Sequence, residues 1–393
     1  MKKLLILINC LILMVSFCTP AIAAEAEEDK VKTKGAYYDI EAPEYETGIA
    51  LLVNADTDTV IYSKNADKIT APASLTKIVT ALVVLNECND LQKKITCSYD
   101  AIHSLDGTGS SVAGLVDGET TTLEMMLFCL FLPSANDAAA VLAETFGDGK
   151  TENFVAKMNA LVQDLGCKNT FFANPHGLDD ESVKGFDSDT QNRTTASDMY
   201  LIAKKALENE TIVKMSSKYG KTMPKTNKSD VRYLYNTNPL LNDYSYYYYP
   251  GAIGLKTGTT SGSGYCLSAT AERDGLELVA VVMGADTTSD RFEGAKKLLD
   301  FGFANFTFKN IEAELEKNFS ANIDEGVKEK VLVKPNGTLG LLLKKSDNSK
   351  ITQEIIMNKN LTAPIKKGEV VGRVKIYSGD ELLGEIKLKA DEN

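Results

Sequence analysis

Residues 72–85 read PASLTKIVTALVVL: a serine and a lysine three positions apart, Ser74 and Lys77, open a run over 78–85 that is almost wholly apolar. On a helix that spacing places both side chains on one face. A serine hydroxyl does not attack a carbonyl at neutral pH without a base beside it. A lysine can be that base only where burial or a nearby positive charge lowers its pKa. Alone, the pair reads more simply as a helix cap followed by a solvated lysine. Two further short words reverse that reading: Ser134-Ala135-Asn136, and Lys256-Thr257-Gly258.

Outward from this stretch, residues 48–63 carry two β-rich runs, 49–53 and 59–62, around Asn54, Asp56 and Asp58, and predict a hairpin. Downstream, Thr121 and Glu124 fit a capping box for a helix that runs to Pro133, where the backbone must break, so Ser134 falls in a kink between helices. Asn136 and Asp137 are expected to cap the next helix, 138–146. Phe154, Met158, Leu161, Val162 and Leu165 recur at helical offsets with Gly166 as the stop, and another helix begins near Thr195. After Tyr249 the pattern changes to strands at 253–257, 265–270 and 276–283, with Asp274 and Gly275 as a turn, then a helix near 291–301. This order describes an α+β domain: an antiparallel sheet whose first strands are N-terminal and whose last come from far downstream, with a helical block packed on it. From about Phe308, short alternating strands at 327–333, 339–343, 351–357, 370–377 and 382–388 predict a small all-β, sandwich-like domain.

Residues 1–23 have a basic start, an apolar run and a small-residue ending, the pattern of a secretory signal. The expected division is therefore a signal over 1–23, a linker over 24–47, the mixed domain over 48–307 and the β-domain over 308–393. Loss of Lys2 and Lys3 with the signal takes the net charge from −11 to −13, which disfavours nucleic acid as a partner. The five cysteines beyond the signal (Cys88, Cys97, Cys129, Cys167 and Cys266) are odd in number, lack C-x-x-C spacing and imply neither a disulfide framework nor a zinc site, although Cys88 and Cys97 could pair. With only His103 and His176, a multi-histidine metal centre is disfavoured, and no cofactor is expected.

S-x-x-K, S-x-N and K-T-G in that order form the signature of penicillin-binding proteins and class A β-lactamases. The chain resembles the serine D-alanyl-D-alanine carboxypeptidases, the low-molecular-weight penicillin-binding proteins. The resemblance extends through 72–80, 109–111, the H-G-L-D at 176–179 and 254–267, and with the β-domain it covers nearly the whole chain beyond the signal. It implies a penicillin-recognising, transpeptidase-like fold and a secreted enzyme of the cell wall that removes the terminal D-alanine of peptidoglycan stem pentapeptides and is inhibited by β-lactams. The implied roles are Ser74 as nucleophile, Lys77 as its base and Ser134 as proton relay to the leaving amine. The Asn136 amide would bond either the substrate backbone or Lys77. Lys256 would supply positive charge to a terminal carboxylate and help keep Lys77 neutral. Thr257 would donate to that carboxylate, Gly258 would leave the strand edge open to the peptide, and the backbone N–H groups of Ser74 and Thr259 would face the oxyanion.

Two departures qualify the likeness. Many relatives place an Arg between two asparagines where this chain has Asn236-Thr237-Asn238, so a carboxylate contact is either missing or supplied elsewhere. Residues 382–393 alternate and end charged, so no C-terminal membrane-binding helix is evident. A class A β-lactamase would need an E-x-x-L-N word for deacylation, and residues 165–174 read LGCKNTFFAN, without glutamate. A non-catalytic β-lactam sensor would need membrane spans and a cytoplasmic partner domain. His176 and Asp179 invite a triad with Ser74, but H-G-L-D reads better as a turn in which His176 bonds backbone. The tyrosine run 244–249 reads as a strand or loop of alternating exposure, and Cys266 as packing.

Overall fold

The computed structural model describes residues 31–32, 37–38, 48–179 and 189–393. The expected signal, 1–23, lies outside the described residues, as does most of the expected linker. Within that linker, Val31–Lys32 pairs antiparallel with Tyr37–Tyr38.

Ile49–Asn54 and Thr59–Lys64 form the expected hairpin, closed by Thr57, whose N–H and hydroxyl both donate to Asn54 Oδ1, and by Asp58 at φ +57°. The central sheet runs in the order Thr59–Lys64, Ile49–Asn54, Leu276–Ala285, Gly264–Arg273, Ala252–Thr260, all antiparallel. Its inner strands are apolar on both sides because both faces are covered. Leu51, Val53, Val279, Val281 and Met283 pack into the helical block. Ala50, Leu52, Leu278, Ala280 and Val282 pack under the helix Thr288–Asn305. The lysine of the K-T-G word lies on the outermost strand, so one edge of the sheet borders the helical block without a further strand.

The helix Thr76–Glu87 is buried along its first ten residues, which explains the near-continuous apolar run: a helix surrounded on all sides has no polar face to keep. Thr151–Asp164 ends before Gly166 at φ +82°, and Thr195 caps Ala196–Leu207 by accepting from Asp198 N, both as expected.

Two expected caps shift. The helix Leu123–Phe131 is capped by Thr122, which accepts from Met125 N, and not by Thr121, because the pairing of 120–122 with 94–96 holds the chain extended as far as Thr122. Asn136 is the first residue of Asn136–Phe146 and caps nothing; Ala135 holds the N-cap position without a side-chain bond, and the Asn136 amide turns to Lys77 instead. Two hairpin strands, Gly220–Met223 and Arg232–Tyr235, also escape the sequence reading.

Beyond the helix Thr288–Asn305, the strand Phe306–Ile311 pairs with Leu339–Lys344, and a five-stranded sheet runs Ser320–Asn322, Lys330–Pro335, Glu381–Ala390, Val370–Ser378, Ile351–Met357. Val331, Val333, Leu341, Val374, Ile376, Ile386 and Leu388 form its core, on alternate positions of each strand. The all-β expectation therefore holds, with Phe306–Ile311 running straight out of the preceding helix. Among the described residues no helix is long and apolar enough to cross a membrane, and Cys88, Cys97, Cys129, Cys167 and Cys266 are free thiols.

Candidate active site

Ser74 sits in a single 3-10 turn, Ala73–Leu75, that leads into the buried helix. Ala73 is in the left-handed region at φ +48°, and Leu75 N donates to Pro72 O at 3.1 Å. Three contacts hold this turn. Thr76 Oγ1 donates to Ala73 O at 2.7 Å, and Asn192 Nδ2 donates to Thr76 Oγ1 at 3.1 Å. Gly177 packs so closely that a Cβ there would lie 1.9 Å from Ala73 O. The glycine of H-G-L-D is thus a packing requirement of the Ser74 turn, and any side chain at 177 would displace that turn.

Lys77 is fully buried, and its Nζ has three partners: Ser74 Oγ at 2.9 Å, Asn136 Oδ1 at 2.5 Å and His176 O at 2.7 Å. None of these is a carboxylate. Burial holds the Lys77 pKa well below the usual lysine value, the Lys256 charge lowers it further, and Asp137 opposes both. A neutral amine has two N–H bonds and one lone pair. The carbonyl oxygens of Asn136 and His176 can only accept, so they take the two N–H bonds, and the lone pair is left facing the Ser74 hydroxyl. Of the two partners left open for the Asn136 amide, the structure shows Lys77.

Ser134 lies 6 % exposed, at φ +60° in the kink between Leu123–Phe131 and Asn136–Phe146. The kink is pinned by Asn136 N, which donates to Ser111 O at 2.8 Å, and by the buried Asp137 carboxylate, which accepts from Ala113 N and Leu115 N at 3.0 Å each. Asp137 was expected as a cap; it instead binds the 113–115 segment to the wall that carries Ser134, apart from one bond to Ala138 N.

The strand Ala252–Thr260 forms the facing wall. Gly258 touches the Ser74 turn, since a Cβ there would come 3.0 Å from both Ser74 N and Ala73 Cβ. Lys256 is buried, donates to Thr257 O at 3.0 Å, and has its pKa pushed down to about 7, by burial first and then by the Arg291 charge. Thr257 is bonded to Thr237, Oγ1 to Oγ1 at 2.5 Å. Thr259 Oγ1 accepts from Arg291 Nη1 at 3.1 Å, and the same nitrogen donates to Gly258 O at 3.0 Å. The residues of the three short words thus lie on two walls that meet at Ser74.

Arg291 escaped the sequence reading, because nothing in its helix marks it as reaching through the sheet to the K-T-G strand. The His176 carbonyl escaped it as well, for backbone atoms leave no signature. The His176 ring accepts from Leu178 N at 3.2 Å, so it bonds backbone as expected, and burial drives its pKa down to about 3 and keeps it neutral. Asp179 accepts from Gly262 N at 2.9 Å, so H-G-L-D is a turn tied to the strand loop and not a triad. His103 is a surface residue beside Asp106, Cys266 is buried, and the tyrosine run is a loop with Tyr244 and Tyr246 exposed and Tyr249 buried.

Comparison with known proteins gives the family. The family model for D-alanyl-D-alanine carboxypeptidase matches residues 37–287. The chain belongs to the D-alanyl-D-alanine carboxypeptidase family. It is a serine-type carboxypeptidase, a hydrolase. The model for the C-terminal domain of penicillin-binding protein 5 matches residues 309–393. The carboxypeptidase is 31 % identical to D-alanyl-D-alanine carboxypeptidase DacF of Bacillus subtilis over 394 aligned positions, covering 100 % of this chain and 95 % of that one. Among solved structures, it is similar to penicillin-binding protein 5 of Haemophilus influenzae, with a TM-score of 0.75 at 29 % identity, covering 90 % of this chain and 99 % of that one. The DD-transpeptidase of Streptomyces K15 superposes with a TM-score of 0.61 at 31 % identity, covering 67 % of this chain and all of the other.

Proposed function

We propose that this carboxypeptidase acts outside the cytoplasm on peptidoglycan stem pentapeptides, through an acyl-enzyme on Ser74. The observation that carries the reading is the buried Lys77 amine, whose Nζ lies 2.9 Å from Ser74 Oγ and whose pKa burial holds well below the usual lysine value. Ser74 Oγ attacks the carbonyl of the penultimate D-alanine while Lys77 takes its proton. The tetrahedral oxyanion forms between the N–H groups of Ser74 and Thr259. The C–N bond then breaks, Ser134 passes the proton to the leaving amine, and D-alanine departs. Water attacks the ester, the Oγ–C bond breaks, and the proton returns to Ser74. Lys256 and Thr257 receive the terminal carboxylate, and Gly258 leaves the strand edge open so that the peptide lies along it. A β-lactam carries a carboxylate and a strained amide in the same relation, and acylates Ser74. Its leaving nitrogen stays tethered to the acyl group, whereas D-alanine departs, so it remains beside the ester where water must approach and the adduct persists.

The test is release of free D-alanine from diacyl-Lys-D-Ala-D-Ala by the purified protein, together with a stoichiometric mass increment on incubation with benzylpenicillin. Release and a persistent adduct are expected; absence of release overturns the reading.

The pH profile is a second expectation. The reaction needs Lys77 neutral and Lys256 charged, so kcat/KM rises as Lys77 loses its proton and falls as Lys256 loses its own, near pH 7. Arg291→Met removes the positive charge that depresses Lys256, so the falling limb should move to higher pH, whatever happens to the height of the profile. A falling limb with the wild-type midpoint in the variant would count against Lys256 as the titrating group.

A further inference from the structure

The sequence reading left open how the terminal carboxylate is held without an arginine at position 237. The position is not a loose loop. Asn236 and Asn238 are 7 % and 0 % exposed and turn inward: Asn236 Nδ2 donates to Ser216 O and Lys218 O, Asn236 Oδ1 accepts from Asn238 N, and Asn238 Oδ1 accepts from Leu240 N. Thr237, between them, faces outward and is exposed. Its N–H donates to Leu132 O at 3.0 Å, two residues before Ser134, and its hydroxyl meets Thr257 Oγ1 on the opposite wall. A short side chain on a rigid mount therefore bridges the two walls beside Thr257.

We infer that Thr237 is a specificity-determining residue of this enzyme: its hydroxyl and that of Thr257 form a two-donor clamp for the carboxylate of the departing residue. Two hydroxyls bonded to each other use one proton between them and keep the other free. When a carboxylate enters, both turn and both donate to it, one bond exchanged for two charge-assisted ones. The mount supplies the position in advance, so little ordering accompanies binding. The inference rests on the carboxypeptidase reading and assigns to it a residue outside the three short words.

The experiment compares wild type, Thr237→Val and Thr237→Ser in steady-state release of D-alanine from diacyl-Lys-D-Ala-D-Ala. Valine matches threonine in shape and lacks the hydroxyl. The side chain is exposed, so all three should melt alike. Loss of one hydrogen bond to a charged group predicts a rise of about tenfold or more in KM for the valine variant with kcat little changed. The serine variant should stay within a few-fold of wild type. An unchanged KM in the valine variant overturns the clamp. So does a fall in kcat at constant KM, or a serine variant as impaired as the valine one. Absence of D-alanine release by the wild type would instead overturn the carboxypeptidase reading itself.

Discussion

Replacing Ser74 by alanine should abolish both D-alanine release and the covalent adduct with benzylpenicillin, while the protein stays folded. Ser74 is only partly buried, and its Oγ is one of three partners of Lys77, so the fold does not depend on it. The chemistry does. Without an Oγ there is no ester, and Lys77 has no proton to take. Losses on the order of 10⁶ in kcat accompany removal of a serine nucleophile elsewhere, and a loss of that order is expected here. The measurement is D-alanine release beside a melting curve. A folded variant with residual release near wild type would mean that Ser74 is not the nucleophile.

The second large effect is at Lys77. Lys77→Met removes the amine and keeps an unbranched apolar side chain in a site closed on all sides. General base catalysis contributes roughly 10²–10⁴-fold, and the upper end applies because Asn136 Oδ1 and His176 O, the other partners of Lys77, are amide oxygens that cannot serve as a base. Lys77→Arg should be as inactive as the methionine variant, since a guanidinium keeps its proton in proteins. That comparison separates a base from a mere cation. The methionine variant leaves Asn136 Oδ1 and His176 O without their donor, so a stability loss of about 1–3 kcal/mol is expected. If the arginine variant kept substantial acylation, Lys77 would be acting by charge and not by proton transfer.

Local rules made much of the fold legible. The 49–64 hairpin, the stop at Gly166, the Thr195 cap and the Asp274-Gly275 turn each follow from a few adjacent residues whose side chains bond their own backbone or whose φ is unusual. Where the reading failed, a distant partner had outbid the local one. Thr121 fits a capping box, but the pairing of 120–122 with 94–96 keeps the chain extended one residue longer, and Thr122 caps the helix. Asn136 is a good cap by type, but Lys77, fifty-nine positions earlier, takes its side chain. Strand Phe306–Ile311 was missed because its pairing partner, Leu339–Lys344, is remote in sequence.

The candidate site divides in the same way. Sequence alone determined its reagents: a hydroxyl and an amine on one helical face, a second serine at a kink and a lysine on a strand, because residue type and spacing are local facts. Whether that amine is a base was not among them. Its pKa depends on burial by segments from the whole domain, on the Lys256 charge, and through Lys256 on Arg291. The orientation of its lone pair depends on a backbone carbonyl at His176. Desolvation and charge act through space, so the proposed base role of Lys77 beside Ser74, suggested by the three short words, gains its physical support only from the tertiary structure.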